Sequence, residues 1–291
     1  MSAPVEVGLA GAGPWARDFH APTFAAGPET RLAGVWSRRE PAARTLAERF
    51  GVPAFPSYDE LLERCEAVVF AVPPDVQPGL AVRAARRGRA LLLEKPIALT
   101  VADARELADA VDEAGVATQL VLTNRYRPAV REFLKQARGF PAVGAQACQL
   151  TGEFLDDTFA GSPWRSYAGV LYNTGPHGLD MLDAALGRIT EVRPAGNRAG
   201  FLSLTCLHES DAVSQLAICG RVPPGRRTRY ELYGPEGTLV LDSGLLPRDA
   251  VETRATLRSE FATAVRTGRS HDIDVHRGLH LQELLAQAAR W

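Results

Sequence analysis

Lysine is nearly missing from this chain: of its 33 basic residues only Lys95 and Lys135 are lysine, and all the others are arginine. Cysteine is scarce too. The four, Cys65, Cys148, Cys206 and Cys219, are widely spaced with no C-x-x-C pair. That argues against a zinc site or a disulfide framework and fits a reducing cytoplasm. No apolar run approaches the roughly 20 residues of a membrane span. The start, Met1-Ser2-Ala3-Pro4, has neither a charged segment nor a long apolar one, so no secretory signal is expected. The net charge of −1 leaves no broad basic field to recruit nucleic acid or an anionic membrane. His20, His271, His276 and His280 show no metal-ligand spacing with carboxylates, so they read as surface or packed histidines and no metal is expected. With 291 residues, 46% of them apolar and 23% charged, the composition suits one large or two medium globular domains.

What is present centres on Leu93-Glu94-Lys95-Pro96. It ends an apolar run from Ala90, the pattern of a parallel strand buried on both faces. Open parallel sheets place ligands beyond the carboxyl ends of their strands, so a charged pair there is a candidate site. In a chain this biased to arginine, a lysine stands where its ability to shed a proton matters, or it belongs to a strand-end ion pair; both readings stay open.

The first third alternates strand and helix. Val5 to Ala10 is a strand candidate, followed at once by Gly11-Ala12-Gly13-Pro14-Trp15-Ala16 and a helical stretch to Ala26. This is the dinucleotide-binding glycine pattern in its required context. Gly11 allows the tight turn, Gly13 lets a pyrophosphate approach the backbone, and Ala16 keeps helix and strand close. Pro14 suits a first helical turn, and the amides around Pro14 and Trp15 are placed for phosphate. A strand (Arg31 to Trp36), a helix (Glu40 to Phe50), a capped helix after Ser57, a strand (Ala67 to Ala71), a helix (Gln77 to Arg87), the strand ending at Glu94, a helix (Val101 to Ala114) and a strand (Thr118 to Leu122) complete a doubly wound parallel sheet of Rossmann type. The second strand ends in Trp36-Ser37-Arg38-Arg39. It has no carboxylate for a ribose 2′-hydroxyl but offers a hydroxyl and two guanidinium groups for a 2′-phosphate, so NADP is preferred over NAD.

After Leu122 the rhythm changes. A helix (Ala129 to Arg138), a strand (Ala145 to Leu150), an irregular segment (Glu153 to Tyr167) and a helix (Leu171 to Leu186) precede strand candidates at Phe201 to His208, Val213 to Cys219, Thr228 to Tyr233 and Thr238 to Leu241. Turns at Pro223-Pro224-Gly225 and Gly234-Pro235-Glu236-Gly237 separate the later strands. Helices at Leu257 to Thr267 and His276 to Ala289 close the chain. The pattern predicts an α+β domain whose open, mostly antiparallel sheet is covered by helices on one face. Its other face is free to pair with a second subunit, as a homodimer or homotetramer. The expected domains are residues 1–123 and 124–291.

The ordered set Gly11-Ala12-Gly13, Ala71-Val72-Pro73-Pro74, Glu94-Lys95-Pro96, Asn124-Arg125-Tyr126-Arg127-Pro128, Trp164-Arg165, Gly175-Pro176-His177-Gly178-Leu179-Asp180 and Gly234-Pro235-Glu236-Gly237 resembles the Gfo/Idh/MocA family, named after glucose–fructose oxidoreductase, inositol dehydrogenase and a rhizopine-catabolism protein. The resemblance covers nearly the whole chain. It implies an NAD(P)-dependent oxidoreductase acting on a small polar substrate such as a sugar, a cyclitol or a related alcohol. By that resemblance Ala71, Pro73, Gln77, Glu94 and Lys95 join the glycine turn and Ser37, Arg38 and Arg39 around the cofactor. Lys95 reaches the reacting oxygen, and its following proline is often cis. His177 acts as acid/base, and Arg125, Tyr126, Trp164, Arg165 and Asn173 line the substrate site. The chemistry agrees with these roles, because oxidising an alcohol needs a proton acceptor near neutral pH and a group to stabilise charge on oxygen.

The chain departs from the family in several places, among them Leu171-Tyr172-Asn173, which lacks the glycine-rich lead of many relatives and keeps only Gly169. Asn173 stands where an aspartate is usual, four residues before the histidine, and cannot be a general base. Pro176 is expected to bend the helix and disturb the i, i+4 pairing. Gln77 stands where a histidine is common. Two rival readings follow: a non-catalytic NAD(P)-binding sensor or assembly protein, and a reductase of an imine, an enone or a keto-sugar.

Overall fold

The computed structural model describes residues 3–155, 163–197, 200–223, 227–242 and 250–290. The chain divides into two compact units, Met1–Thr123 with Ala250–Leu279, and Asn124–Asp249 with His280–Trp291.

In the first unit five parallel strands, β1 (Val5–Ala10), β2 (Thr30–Trp36), β3 (Ala67–Phe70), β4 (Ala90–Glu94) and β5 (Thr118–Val121), lie in the order β2-β1-β3-β4-β5. A five-residue π-helical turn, Ala16–His20, leads into α1 (Ala21–Ala25). The other helices are α2 (Glu40–Phe50), α3 (Tyr58–Glu63), α4 (Gln77–Arg86) and α5 (Val101–Ala114). Every residue of β3 and β5 is buried, which is why these strands read as continuous rather than alternating apolar runs. Local code sets the helix ends. Thr100 caps α5 by accepting from Asp103 N, and Gly115 closes it with φ 62°. Ser57 does the same for α3. The strand order reverses between β1 and β3, so the ends of those two strands flank the crevice where such sheets take ligands.

The return of Ala250–Leu279 to this unit was not expected from sequence. Its physical basis is α8 (Ala250–Thr267), whose Arg258 Nε donates to Glu29 Oε2 at 2.7 Å and whose Phe261 meets Phe24 edge to face. The segment after α8 then pairs with β5: Leu120 N donates to Ile273 O at 2.7 Å and His271 N to Thr118 O at 2.9 Å. That covers a strand edge otherwise open to misassociation.

The second unit is built on a six-stranded sheet in the order β11-β10-β6-β9-β8-β7, where β6 is Gly144–Leu150, β7 Ile189–Gly196, β8 Phe201–His208, β9 Val213–Cys219, β10 Arg227–Gly234 and β11 Gly237–Asp242. All neighbours are antiparallel except β6 and β9. One face is buried by Leu202, Leu204, Leu216, Ile218, Tyr230 and Leu232. Strand β7 escaped the sequence reading because it is an edge strand, mostly exposed and carrying Pro194. Helices α6 (Pro128–Gly139) and α7 (Pro163–Leu186), with α9 (Val275–Ala289) from His280 onward, complete the set. Gly178 brings α7 close to the sheet, since a Cβ there would sit 2.5 Å from Leu216 Cδ2. Pro176 lies within α7, and the non-helical residue inside that helix is Gly169 (φ 65°, ψ −164°). A glycine adopts positive φ without a Cβ penalty, which permits the kink at Gly169. Residues 156–162 of the irregular segment, and Pro224 and Gly225 of an expected turn, lie outside the described residues.

Candidate functional site

At the end of β4 the Glu94 carboxylate collects three donors. Trp15 Nε1 donates to Oε1 at 2.6 Å, His20 Nε2 lies 2.7 Å from the same oxygen, and Lys95 N donates to Oε2 at 3.2 Å. The Lys95–Pro96 peptide is cis, and Lys95 is half-buried. Behind this bend sits Gln77, fully buried. Its Nε2 donates to Glu94 O at 2.8 Å and to Ile97 O at 3.1 Å, and its Oε1 accepts from Glu94 N at 2.8 Å. The expectation that Gln77 faces a cofactor is therefore corrected. With no exposed surface it shapes the Lys95 bend from behind and satisfies backbone groups that no strand pairs.

The glycine turn lies beside it. Gly11 has φ 124°, and a Cβ there would meet Ala71 O at 2.3 Å, so only glycine lets β1 and the end of β3 close together. At Gly13 a Cβ would meet nothing within 4 Å; the backbone is uncovered, as a bound pyrophosphate requires. Ala16 is fully buried, whereas Pro14 and Trp15 are exposed. Ala71 and Pro73 are half-buried on the neighbouring strand end. Beyond β2, Ser37 Oγ accepts from Arg39 N at 3.3 Å. Arg38 and Arg39 are exposed and form no ion pair among the described residues; Glu40, the adjacent acid, is taken by Arg44. Uncovered backbone, a helical turn that starts at the strand end, and two available guanidinium groups fit a dinucleotide.

In the second unit α7 presents Asn173 and His177 at i and i+4, on one face. Asn173 is buried and bridges opposite charges: Arg165 Nε donates to its Oδ1 at 3.0 Å, and its Nδ2 donates to Glu153 Oε2 at 2.9 Å. The Arg165 guanidinium lies 4.5 Å from the Trp164 ring centroid, a cation–π contact. Trp164 is nearly buried beneath it. Arg125 Nη1 donates to both oxygens of Asp180, at 3.1 and 3.3 Å. Asp180 is 1% exposed and fixes the Arg125 guanidinium through both its oxygens. Tyr126, expected to line the substrate site, is instead fully buried; it is a packing residue under Arg131.

Sequence reasoning did not single out Glu153, and it set His20 aside as a surface or packed histidine. No local signal marks Glu153, whose link to Asn173 spans the chain between a strand end and a later helix. His20 has one faint mark, its position five residues beyond Trp15. Cys65 and Cys206 drop out as nucleophiles: burial pushes the Cys65 thiol up to about 11 and that of Cys206 to about 12. Among the described residues no group of three or more His, Cys, Asp or Glu side chains could hold a metal ion, and no helix is long and apolar enough to cross a membrane.

Comparison with known proteins places this geometry. The model of one family, "Oxidoreductase family, NAD-binding Rossmann fold" (Gfo/Idh/MocA), matches residues 5–121. The chain is 30% identical over 257 residues to dTDP-3,4-didehydro-2,6-dideoxy-alpha-D-glucose 3-reductase of Streptomyces violaceoruber, covering 84% of this chain and 74% of the relative. UDP-N-acetylglucosamine 3-dehydrogenase GnnA from Acidithiobacillus ferrooxidans superposes with a TM-score of 0.80 at 25% identity, over 98% of this chain and 96% of that one. GenD2 from gentamicin A biosynthesis, solved in complex with NAD, superposes with a TM-score of 0.83 over 100% of this chain and 94% of that one; at 22% identity the likeness is one of fold.

Proposed function

The chain belongs to the Gfo/Idh/MocA family of oxidoreductases, and from that premise we propose that it transfers hydride between a nicotinamide dinucleotide, NADP in preference to NAD, and a hydroxyl- or carbonyl-bearing carbon of a sugar, a cyclitol or a related compound. One observation carries the reading: the glycine turn, with open space beside Gly13, and the Lys95 bend are built side by side and joined through the Glu94 carboxylate. The names of the relatives support a sugar substrate, since one is a 3-reductase of a dTDP-bound didehydro sugar and another a 3-dehydrogenase of UDP-N-acetylglucosamine.

When bound, the nicotinamide gives or accepts the hydride. Lys95 Nζ stabilises negative charge that develops on the substrate oxygen. The His177 imidazole takes or returns the hydroxyl proton near neutral pH. Asn173 is neutral and cannot exchange a proton; it holds Glu153 and Arg165 in place from the helix face it shares with His177. The first unit is the cofactor-binding domain, and the second binds substrate and assembles the oligomer. A homodimer or homotetramer through the six-stranded sheet is supported by Phe201, Val213 and Val240, which are exposed on the face away from the buried side chains. Four free cysteines support a cytoplasmic setting.

Titration with NADPH and NADH, followed by reduced-nicotinamide fluorescence, tests the cofactor. Tighter NADPH binding is expected, and tighter NADH binding would refute the assignment to Ser37, Arg38 and Arg39. Offering myo-inositol, D-glucose and UDP-N-acetylglucosamine with the oxidised cofactor then tests the reaction. Failure to bind either dinucleotide would end the oxidoreductase reading.

A further inference from the structure

We propose that His20 is a positioning residue: its Nε2–H holds the Glu94 carboxylate in the place where that carboxylate also ties down Trp15 and the Lys95 peptide. The inference rests on reading the first unit as dinucleotide-binding and deepens it, because it names what keeps the glycine turn and the Lys95 bend together.

The backbone between Trp15 and His20 is the first ground. Side chains five residues apart point about 140° away from each other around an α-helix of 3.6 residues per turn. Here they converge on one oxygen, Glu94 Oε1, at 2.6 and 2.7 Å. The intervening residues, Ala16–His20, form a π turn closed by Ala21 N donating to Ala16 O. Such turns are rare and tend to occur at functional sites. The irregular turn therefore has a local product, the convergence of two donors on one carboxylate.

The second ground is the imidazole itself. His20 is fully buried among aromatic rings, edge to face with Phe19 at 5.2 Å and near-parallel to Phe24 at 6.4 Å. Its Nδ1 is buried with no hydrogen-bond partner among the described residues. A phenylalanine would fill the same space and leave no acceptor unsatisfied, so packing alone gives no reason for an imidazole here. The compensating contact is Nε2 to Glu94. A carboxylate offers only lone pairs, so Nε2 carries the proton. Being fully buried, His20 does not touch substrate or cofactor, and its effect passes through Glu94.

Two variants separate the donor from the ring. His20→Phe keeps the volume and the stacking and removes the donor; His20→Gln keeps an N–H donor and removes the ring. Each is titrated with NADPH and NADH, and the indole N–H proton of Trp15, assigned with Trp15→Phe, is followed by NMR. His20→Phe is expected to weaken both cofactors by about tenfold or more, the size of a lost hydrogen bond to a charged group, and to shift the indole signal. His20→Gln is expected to restore affinity to within about threefold and to return the signal toward that of the wild type. Unchanged affinity and signal in His20→Phe would overturn the proposal, and so would equal damage from both variants, the mark of a packing role. If the wild type binds neither dinucleotide, the oxidoreductase reading fails separately, and the indole signal still decides whether His20 positions Glu94.

Discussion

Replacing Gln77 with leucine is the sharpest available test of how the Lys95 bend is held. The two side chains are similar in size, so the change leaves little cavity. It removes three hydrogen bonds at once, to Glu94 N, Glu94 O and Ile97 O. A buried polar group left unpaired costs about 1 to 3 kcal/mol. Ile97 is 1% exposed and Leu93 fully buried, so water has little access to Ile97 O, whereas Glu94 sits nearer solvent and recovers part of its loss. The sum is about 3 to 5 kcal/mol, a large share of the roughly 5 to 15 kcal/mol that holds a domain together. With a urea m-value of about 2 kcal/mol/M, the first unit's midpoint should fall by roughly 1.5 to 2.5 M. Two units make a single transition unsafe as a measure, so amide exchange of residues 90–98 is the companion assay, and protection there should drop first. Gln77→Glu sharpens the contrast. It keeps the bond to Glu94 N but sets carboxylate lone pairs against two carbonyls, so it should also destabilise. A fall of less than about 1 kcal/mol in Gln77→Leu would show that Gln77 only fills space and would refute the reasoning.

Three other outcomes follow from the geometry. Lys95→Ala should lower kcat by about a hundredfold or more, with cofactor affinity kept within about tenfold, because the lysine acts mainly in the transition state; an equal loss of affinity in a fluorescence titration would sink that role. Arg38→Ala or Arg39→Ala should each weaken NADPH by about tenfold and leave NADH unchanged, and parallel losses in competition binding would refute 2′-phosphate recognition. His208 supplies the pH test. Burial holds its pKa below the ordinary 6.5, with Nδ1 against Gly187 O at 2.7 Å and Nε2 against Ser214 Oγ at 2.8 Å. A folded value below the unfolded one means the unfolded chain binds the proton more readily. The contribution is therefore present above about pH 6.5 and is lost as pH falls from there toward the lowered folded value. Unfolding of the second unit followed against pH should show that slope, and His208→Gln should flatten it.

Several elements were legible because their causes are local. Helix α5 runs from Val101 to Ala114 as its cap and its glycine dictate, and β3 to β5 announce themselves as buried runs. The glycine turn, the Lys95 bend and the His177 helix were readable as motifs. Strand β7 was not, because an exposed edge strand carries no apolar alternation. Tyr126 and Gln77 were misplaced for a related reason: a motif position says which residue stands near a site, not whether its side chain faces solvent or core.

The sequence alone determined a parallel sheet followed by a mostly antiparallel one, the glycine turn and the isolated lysine at a strand end, since each follows from periodicity, backbone permissiveness or residue type within a few positions. Only the tertiary structure decided what holds them. The meeting of Trp15 and His20 on Glu94, the clamp of Gln77 on the Lys95 bend and the bridge from Glu153 through Asn173 to Arg165 join residues between 8 and 79 positions apart. Hydrogen bonds depend on distances of a few tenths of an ångström and on burial, and neither is set until the chain has packed.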